Sequence, residues 1–307
     1  MEMTFLGTGA GTPSKQRNVS ALALSLLQES NSIWLFDCGE ATQHQLLYTR
    51  IKPRKINKIF ITHMHGDHIF GLPGFLSSRS FLGGTERLTI YGPPGIKSFI
   101  KSALTLSDTH LAYPLTIHEI DSNRLFDDKY FTVDCIWLHH GVPSLGYRIT
   151  EKDRPGELLV DKLRSKGIEP GPLYQQIKEQ PVVTAPNGQE LYQKDFLGPD
   201  KKGRIISILG DTRFCKDHIQ FVKDSDILVH EATFNHGSEE RAYQYFHSTT
   251  SQAATIAKSG NVGMLILTHI SSRYQEEDNK ALLQEARDIF PNTKLAYDFL
   301  EYHIPNK

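Results

Sequence analysis

The segment Thr62-His63-Met64-His65-Gly66-Asp67-His68 comes directly after the apolar run 56–61, and no other stretch constrains the chain as tightly. A strand over 56–62 feeds a loop that crowds three imidazoles and a carboxylate into six positions. Imidazole and carboxylate together suit zinc and similar borderline metals. His63 and His65 lie two apart, so on extended backbone they share a face. Gly66 lets the chain turn and aim Asp67 and His68 elsewhere, so that one short loop serves two neighbouring metal positions. A closed structural zinc site would be tetrahedral and sulfur-rich, and this set points instead to water activation and hydrolysis. One histidine alone would more often be a surface or core residue with an ordinary hydrogen bond.

The same arrangement of an apolar strand followed by a ligand recurs. Strands are expected over 3–6, 21–27, 33–36, 56–62, 88–91, 115–120, 131–138, 145–150, 204–209, 227–229, 264–268 and 294–297. Helices are expected over 40–50, 68–81 with Pro73 breaking or offsetting it, 95–106, 248–258 and 276–289. A Ser-Thr-Thr cluster suited to capping opens the segment 248–258. His140, Asp211 and His269 each stand just beyond a strand. Open α/β sheets present their chemistry at strand ends on one rim, so four such ends can converge on one cleft. His139 competes with His140 for this role, and Asp211 alone reads equally as a turn residue or a helix cap. Taken together the donors are His63, His65, Asp67, His68, His140, Asp211 and His269. His63, His65 and His140 can hold one metal; Asp67, His68 and His269 a second; and Asp211 can bridge with its two oxygens. Two zinc ions about 3.5–4 Å apart would then activate a shared water near neutral pH.

Residues 151–199 break the pattern. Pro155, Gly156, Gly167, Pro170, Gly171, Pro172, Pro181, Pro186 and Gly188 punctuate this stretch, charges of both signs alternate, and apolar residues are sparse. It reads as an inserted flexible arm within a single 1–307 domain. Hydrophobic content of 39% gives the 307-residue chain an adequate core, and a net charge of −1 provides no global field to attract nucleic acid. Any polyanion must be met by local patches. The three cysteines, Cys38, Cys135 and Cys215, form neither a CxxC pair nor a disulfide framework, which suits a reducing cytoplasm. The opening residues lack a basic stretch followed by an apolar one, and no run approaches membrane-spanning length, so neither a signal peptide nor a membrane partner is expected.

The order His-x-His-x-Asp-His, His140, Asp211, His269 resembles the metallo-β-lactamase superfamily. That resemblance implies an α/β fold, a four-layer αβ/βα sandwich with the metals at one sheet edge. Further segments resemble the ribonuclease Z family, the tRNA 3′-processing endonucleases, in their short form. Residues 5–13, Phe-Leu-Gly-Thr-Gly-Ala-Gly-Thr-Pro, with the following Lys15, Arg17 and Asn18, are similar to the family's substrate loop. His230-Glu231-Ala232-Thr233-Phe234 matches its His-Glu-Ala-Thr motif, Phe246-His247-Ser248-Thr249 its His-Ser-Thr element, and His269-Ile270-Ser271-Ser272-Arg273-Tyr274 its last ligand segment. The excursion with Gly167 and Pro170-Gly171-Pro172 sits where the family carries its tRNA-clamping exosite arm. The likeness runs from residue 1 to about 302 with no departure among the metal or catalytic motifs.

The resemblance implies a zinc-dependent endoribonuclease with two Zn2+ per subunit. It removes the 3′ trailer of precursor tRNA and leaves a 3′-OH on the tRNA and a 5′-phosphate on the trailer. Asp67 is the candidate general base. His247 is the candidate general acid, with Glu231 orienting it; Glu231 also reads as an acceptor for a metal-ligating histidine. Lys15, Arg17 and Arg273 are candidate phosphate contacts through their loop context. Lys152, Arg154, Lys162, Arg164, Lys166 and Lys178 in the arm are interleaved with acidic residues, a mixture equally suited to a solvated linker. A homodimer, in which one subunit's arm holds tRNA for its partner's centre, is a further implication of the family. Two other readings compete: a small-molecule phosphodiesterase on the same fold, which would not need the arm, and a non-catalytic RNA-binding module, which the intact donor set disfavours.

Overall fold

The computed structural model describes all 307 residues. In chain order the principal strands are β1 (Glu2–Gly7), β2 (Ala21–Leu26), β3 (Ser32–Phe36), β4 (Ile56–Phe60), β5 (Leu88–Gly92), β6 (Leu115–Glu119), β7 (Arg124–Asp127), β8 (Phe131–Leu138), β9 (Ser144–Glu151), β10 (Ile205–Leu209), β11 (Ile227–Glu231), β12 (Met264–Thr268), β13 (Thr293–Leu295) and β14 (Glu301–His303). They build two seven-stranded sheets, ordered β14-β1-β2-β3-β4-β5-β6 and β13-β12-β11-β10-β9-β8-β7. The principal helices are α1 (Thr42–Leu47), α2 (Gly66–Ile69), α3 (Leu72–Phe81), α4 (Ile96–Leu106), α5 (Asp217–Val222), α6 (Thr250–Ser259) and α7 (Asn279–Arg287). None is long and apolar enough to cross a membrane.

Period-two alternation sorts the strand residues into layers. Met3, Phe5, Leu22, Leu24, Trp34, Phe36 and Phe60 of the first sheet pack with Phe131, Val133, Tyr147, Ile149, Ile206, Ile208, Val229 and Ile266 of the second in the central core. The residues between them point outward: Leu6, Ala21, Ala23, Ile33, Leu35 and Ile59 meet α1, α3 and α4 through Leu46, Leu72, Phe75, Leu76, Ile96 and Ile100. On the far side Leu228, Leu265 and Leu267 meet Val222, Ala253, Ala257 and Leu282 of α5, α6 and α7. These four layers are the expected αβ/βα sandwich. Truncating a fully buried ring such as Phe60 costs about 3–5 kcal/mol in a core of this kind.

Two hydrogen bonds tie the sheets together beside the His63 loop. Tyr147 Oη donates to the Ile61 carbonyl at 2.5 Å, and the Leu145 N–H donates to the Thr62 carbonyl at 2.9 Å. The backbone also approaches itself closely at two glycines. A Cβ on Gly210 would stand 2.6 Å from Thr62 Cβ, and one on Gly39 would stand 2.3 Å from the Asp67 carbonyl oxygen. Larger residues there would push the strand ends apart.

Local differences from the sequence reading have identifiable causes. The helix expected over 40–50 is limited to Thr42–Leu47 because Ala41, at φ 60°, turns the chain just before it. Pro73 starts a helix instead of breaking one, sitting in the first turn of α3 where no N–H partner is needed. The capping expected ahead of α6 is present as a reciprocal pair between Thr249 and Gln252.

The insertion is a second compact unit, Glu151–Arg204 with Asn306–Lys307, while Met1–Thr150 and Ile205–Pro305 form the first. The insertion expected over 151–199 carries structure of its own. Leu163, Ile168, Ile177, Val183, Ala185, Leu191 and Phe196 make a small core of their own under helices Val160–Ser165 and Pro172–Glu179 and the hairpin Val182–Thr184 with Glu190–Tyr192. Its apolar residues are few but spaced to meet. At its base Arg204 Nε and Nη2 donate to Glu151 Oε2 and Oε1 at 2.8 and 3.0 Å, both side chains being buried. Burial favours the neutral carboxyl of Glu151, but Arg204 outweighs it and holds Glu151 below the usual carboxylate range. A depressed folded-state pKa contributes stability above the unfolded value of about 4.3, lost as pH falls through the folded value. The unit is therefore expected to open to limited proteolysis below about pH 4. Glu151→Gln should reproduce that opening at neutral pH, with a destabilisation of about 3–5 kcal/mol from the stranded guanidinium.

Candidate metal centre

Strand ends of both sheets deliver the donors. The loop after β4 carries His63, His65, Asp67 and His68; His140 follows β8, Asp211 follows β10 and His269 follows β12. All seven come together. His65 Nδ1 lies 3.1 Å from His63 Nε2 and 3.2 Å from His140 Nε2. His68 Nε2 lies 3.3 Å from both His269 Nε2 and Asp67 Oδ2, and His269 Nε2 lies 3.4 Å from Asp67 Oδ2. Between the two groups, Asp211 Oδ2 is 3.6 Å from His63 Nε2, 3.6 Å from His68 Nε2, 3.3 Å from His269 Nε2 and 4.0 Å from His140 Nε2. Tetrahedral zinc with bonds of about 2.0–2.1 Å spaces its donors by roughly 3.3 Å. The donor set fits a pair of such cations with one carboxylate oxygen between them.

The outer edge of these rings settles which nitrogen is free. His68 Nδ1 is 2.7 Å from Asp37 Oδ2 and His140 Nδ1 is 2.9 Å from the Phe246 carbonyl, so each donates outward and bares Nε2. Thr62 Oγ1 donates to Asp37 Oδ2 at 2.9 Å and can then only accept from His63 Nδ1 at 3.0 Å. Thr233 Oγ1 likewise donates to Glu231 Oε2 at 2.8 Å and accepts from His269 Nδ1 at 3.0 Å. Such outward acceptors orient imidazole ligands and raise their basicity. Asp37, Phe246 and His269 hold φ values of 57°, 62° and 57°. Non-glycine residues persist there only where their surroundings over-determine them, and all three serve this centre.

Asp37, Thr62 and Thr233 were not singled out in the sequence, although Asp37 also stands just past a strand, β3, and the strand-end rule would have found it. Asp37→Asn is expected to weaken metal retention 10–100-fold in a chelator titration.

The electrostatics match a cation site. Burial would neutralise Asp211, but His269, His68 and His63 outweigh it and keep its carboxyl well below the usual range. Burial opposes charge on His68 too, yet Asp211 and Asp37 raise it well above an ordinary imidazole. The ion pairs of Asp67, Asp211 and Glu231 are all with histidines. Positive charge beside these carboxylates therefore comes from imidazole protons or from bound cations that displace them.

His247 and Glu231 sit beside the donors. His247 Nδ1 is 2.9 Å from Glu231 Oε1 and 3.8 Å from Asp211 Oδ2. Burial disfavours the imidazolium, but Glu231 outweighs it, and the His247 pKa is pushed up to about 9. Glu231 Oε1 also accepts from the Thr212 and Ser248 N–H groups at 3.1 Å each, so the acid is held rigidly. His247 lines a cavity of about 240 Å3 with His65, Asp67, Phe234, Tyr245 and Arg273.

The three cationic candidates separate. Arg273 is exposed at this mouth, its guanidinium 5.0 Å from the Phe234 ring centre, and Lys15 is exposed in its loop. Arg17 is corrected: it is buried and donates to Thr8 Oγ1, the Ala296 carbonyl and Asn279 Oδ1, at 2.7, 2.6 and 3.0 Å. It secures the loop from within and offers a substrate nothing. That loop in turn reaches the centre, where the Gly11 N–H donates to Asp67 Oδ2 at 2.8 Å.

Comparison with known proteins followed from this geometry. The family model described as Anti-Pycsar protein Apyc1 matches residues 1–143, which is under half the chain. Ribonuclease Z of Oceanobacillus iheyensis is 61% identical over 306 residues, covering 99% of this chain and 100% of that protein. Ribonuclease Z of Bacillus cereus is 58% identical over 305 residues, 99% of each. Among solved structures, human tRNase Z, short form, matches with a TM-score of 0.73 and 33% identity over 99% of this chain and 100% of that one. The metallo-β-lactamase fold protein YhfI from Bacillus subtilis, with a TM-score of 0.68 and 20% identity over 98% of each chain, shares the fold.

Proposed function

The chain belongs to the ribonuclease Z family, metal-dependent tRNA 3′-processing endoribonucleases of the metallo-β-lactamase superfamily, and from that premise we propose how its residues make the cut. The substrate is precursor tRNA. His63, His65 and His140 would hold one zinc ion and Asp67, His68 and His269 a second, with the Asp211 carboxylate within reach of both. Bound there, such a pair lowers the pKa of water and neutralises charge on phosphate oxygens. Asp67, whose Oδ2 faces His68 and His269, would take the proton of the attacking water as general base. The water attacks phosphorus in line and the bond from phosphorus to the 3′ oxygen breaks. His247, held by Glu231, keeps Nε2 protonated for that departing oxygen, so the tRNA leaves with a 3′-OH and the trailer with a 5′-phosphate. Arg273 and Lys15 meet flanking phosphates. The cytoplasm suits the three free cysteines. A homodimer suits the apolar side chains left in solvent on α1 and α3 and just beyond them, Leu47, Tyr48, Phe81 and Leu82.

The observation that carries this reading is Asp211 Oδ2 standing within 3.3–4.0 Å of four imidazole nitrogens, two from each group. Its test is incubation with a trailer-bearing pre-tRNA and mapping of both product ends. Cleavage should stop with chelator and return with zinc. Thr150 and Ile205 are cross-strand partners, so a short turn joining them replaces the insertion without disturbing register. That variant should lose pre-tRNA cleavage by roughly two orders of magnitude yet keep hydrolysis of a small phosphodiester. Equal loss of both activities in a folded protein would refute a docking role for the insertion.

A further inference from the structure

We propose that His139, Cys215 and His218 form an additional metal site, separate from the catalytic pair, that takes a thiophilic borderline cation such as Zn2+, Cd2+ or Co2+. Their donor atoms lie within 4.8 Å of one another. His139 and His140 are consecutive after β8 yet join different donor groups, His140 with His63 and His65, His139 with Cys215 and His218. Backbone contacts hold the site together: the His139 N–H donates to Thr212 Oγ1 at 3.2 Å, and the Arg213 N–H donates to the His139 carbonyl at 2.8 Å. This brings the 212–215 segment alongside. Cys215-x-x-His218 then places a thiol and an imidazole one turn apart at the start of α5, the His218 N–H meeting the Cys215 carbonyl at 3.3 Å.

A second observation points to a ligand. His218 is 1% exposed, and neither of its ring nitrogens has a hydrogen-bond partner. Buried polar groups are almost always satisfied, and an imidazole with two unmet nitrogens is unfavourable unless something fills the gap. The neighbouring imidazole of His230 is no donor to it. His230 Nδ1 meets the Glu231 carbonyl at 2.7 Å and so carries the proton, leaving Nε2 bare and also unpartnered. Burial, with His230 and His139 nearby, keeps His218 neutral, its pKa lowered to about 3, the state in which imidazole ligates metal. His139 is exposed and Cys215 half-buried, which leaves an entry path from solvent. A zinc ion with bonds of about 2.0–2.1 Å to nitrogen and 2.3 Å to sulfur needs donors closer than 4.8 Å, so side-chain rotation by about an ångström completes the site. Two imidazoles and one thiolate leave a fourth position open to water.

The catalytic donors are all nitrogen and oxygen, so a thiolate-to-metal charge-transfer band reports this site alone. The zinc-loaded enzyme is titrated with Cd2+ and followed in the ultraviolet. One equivalent of band is expected, absent in Cys215→Ser. The other two thiols are buried, with pKa values pushed up by burial to about 12, and should not contribute. His218→Asn, checked for an unchanged unfolding transition, should weaken the apparent affinity roughly tenfold or more. If His218→Asn does not fold, His139→Ala at the exposed edge should give the same weakening. No band, a band that survives Cys215→Ser, or unchanged affinity in a folded histidine variant would each overturn the site.

Discussion

Replacing Asp211 by alanine is expected to lower cleavage of pre-tRNA by roughly a thousandfold or more and to release metal on simple dialysis. The carboxylate stands within 4.0 Å of imidazole nitrogens from both halves of the cluster. Without it, no anion stands between the two imidazole groups, and five donor histidines, four of them buried or half-buried, face one another. Loss should therefore extend to every substrate, small phosphodiesters included, and should appear in metal content as well as in rate. Inductively coupled plasma analysis beside a cleavage assay checks this. An Asp211→Ala protein that held two equivalents of zinc and cut normally would remove the bridging role.

The second large effect separates protonation from metal binding. His247→Ala should reduce pre-tRNA turnover by roughly 10²–10⁴-fold while leaving metal content intact. A p-nitrophenyl phosphodiester releases a stable anion that needs no proton, so its hydrolysis should fall by less than about tenfold. The pH profile supplies an independent reading. The acid must start protonated, and the His247 pKa stands at about 9, so the native rate should hold through neutrality and fall as pH rises through that value. Glu231→Gln withdraws the carboxylate that raises it, and the alkaline limb should then move to lower pH. Equal losses on both substrates would assign His247 a structural role.

Much of this was visible in the amino-acid order because strand ends are points where hydrophobic pattern and chemistry meet. The run 56–61 and the ligands directly after it require no tertiary information, and neither do Asp211 and His269. Asp37 was overlooked because a single carboxylate past a strand looks like any turn residue until His68 and Thr62 are seen against it. The competition between His139 and His140 was settled only by the direction each side chain takes from the strand. Arg17 misled because a cation in a glycine-rich loop suggests phosphate, whereas two of its three acceptors, Asn279 and Ala296, lie far away in the chain. The insertion hid its own packing. Prolines and glycines concealed a small core whose members are too widely spaced to show periodicity.

The donors also have an order in time. His63, His65, Asp67 and His68 leave the ribosome first, His140 and Asp211 next, and His269 only after β12 has been made. Until then the second cation lacks one of its imidazoles, and the parallel pairing of β11 with β12 that aims His269 does not exist. A nascent chain therefore cannot assemble a competent nuclease until residue 269 of its 307 has been made. Destructive chemistry begins only when the sandwich has closed, and a truncated translation product carries metal-binding fragments without a working blade.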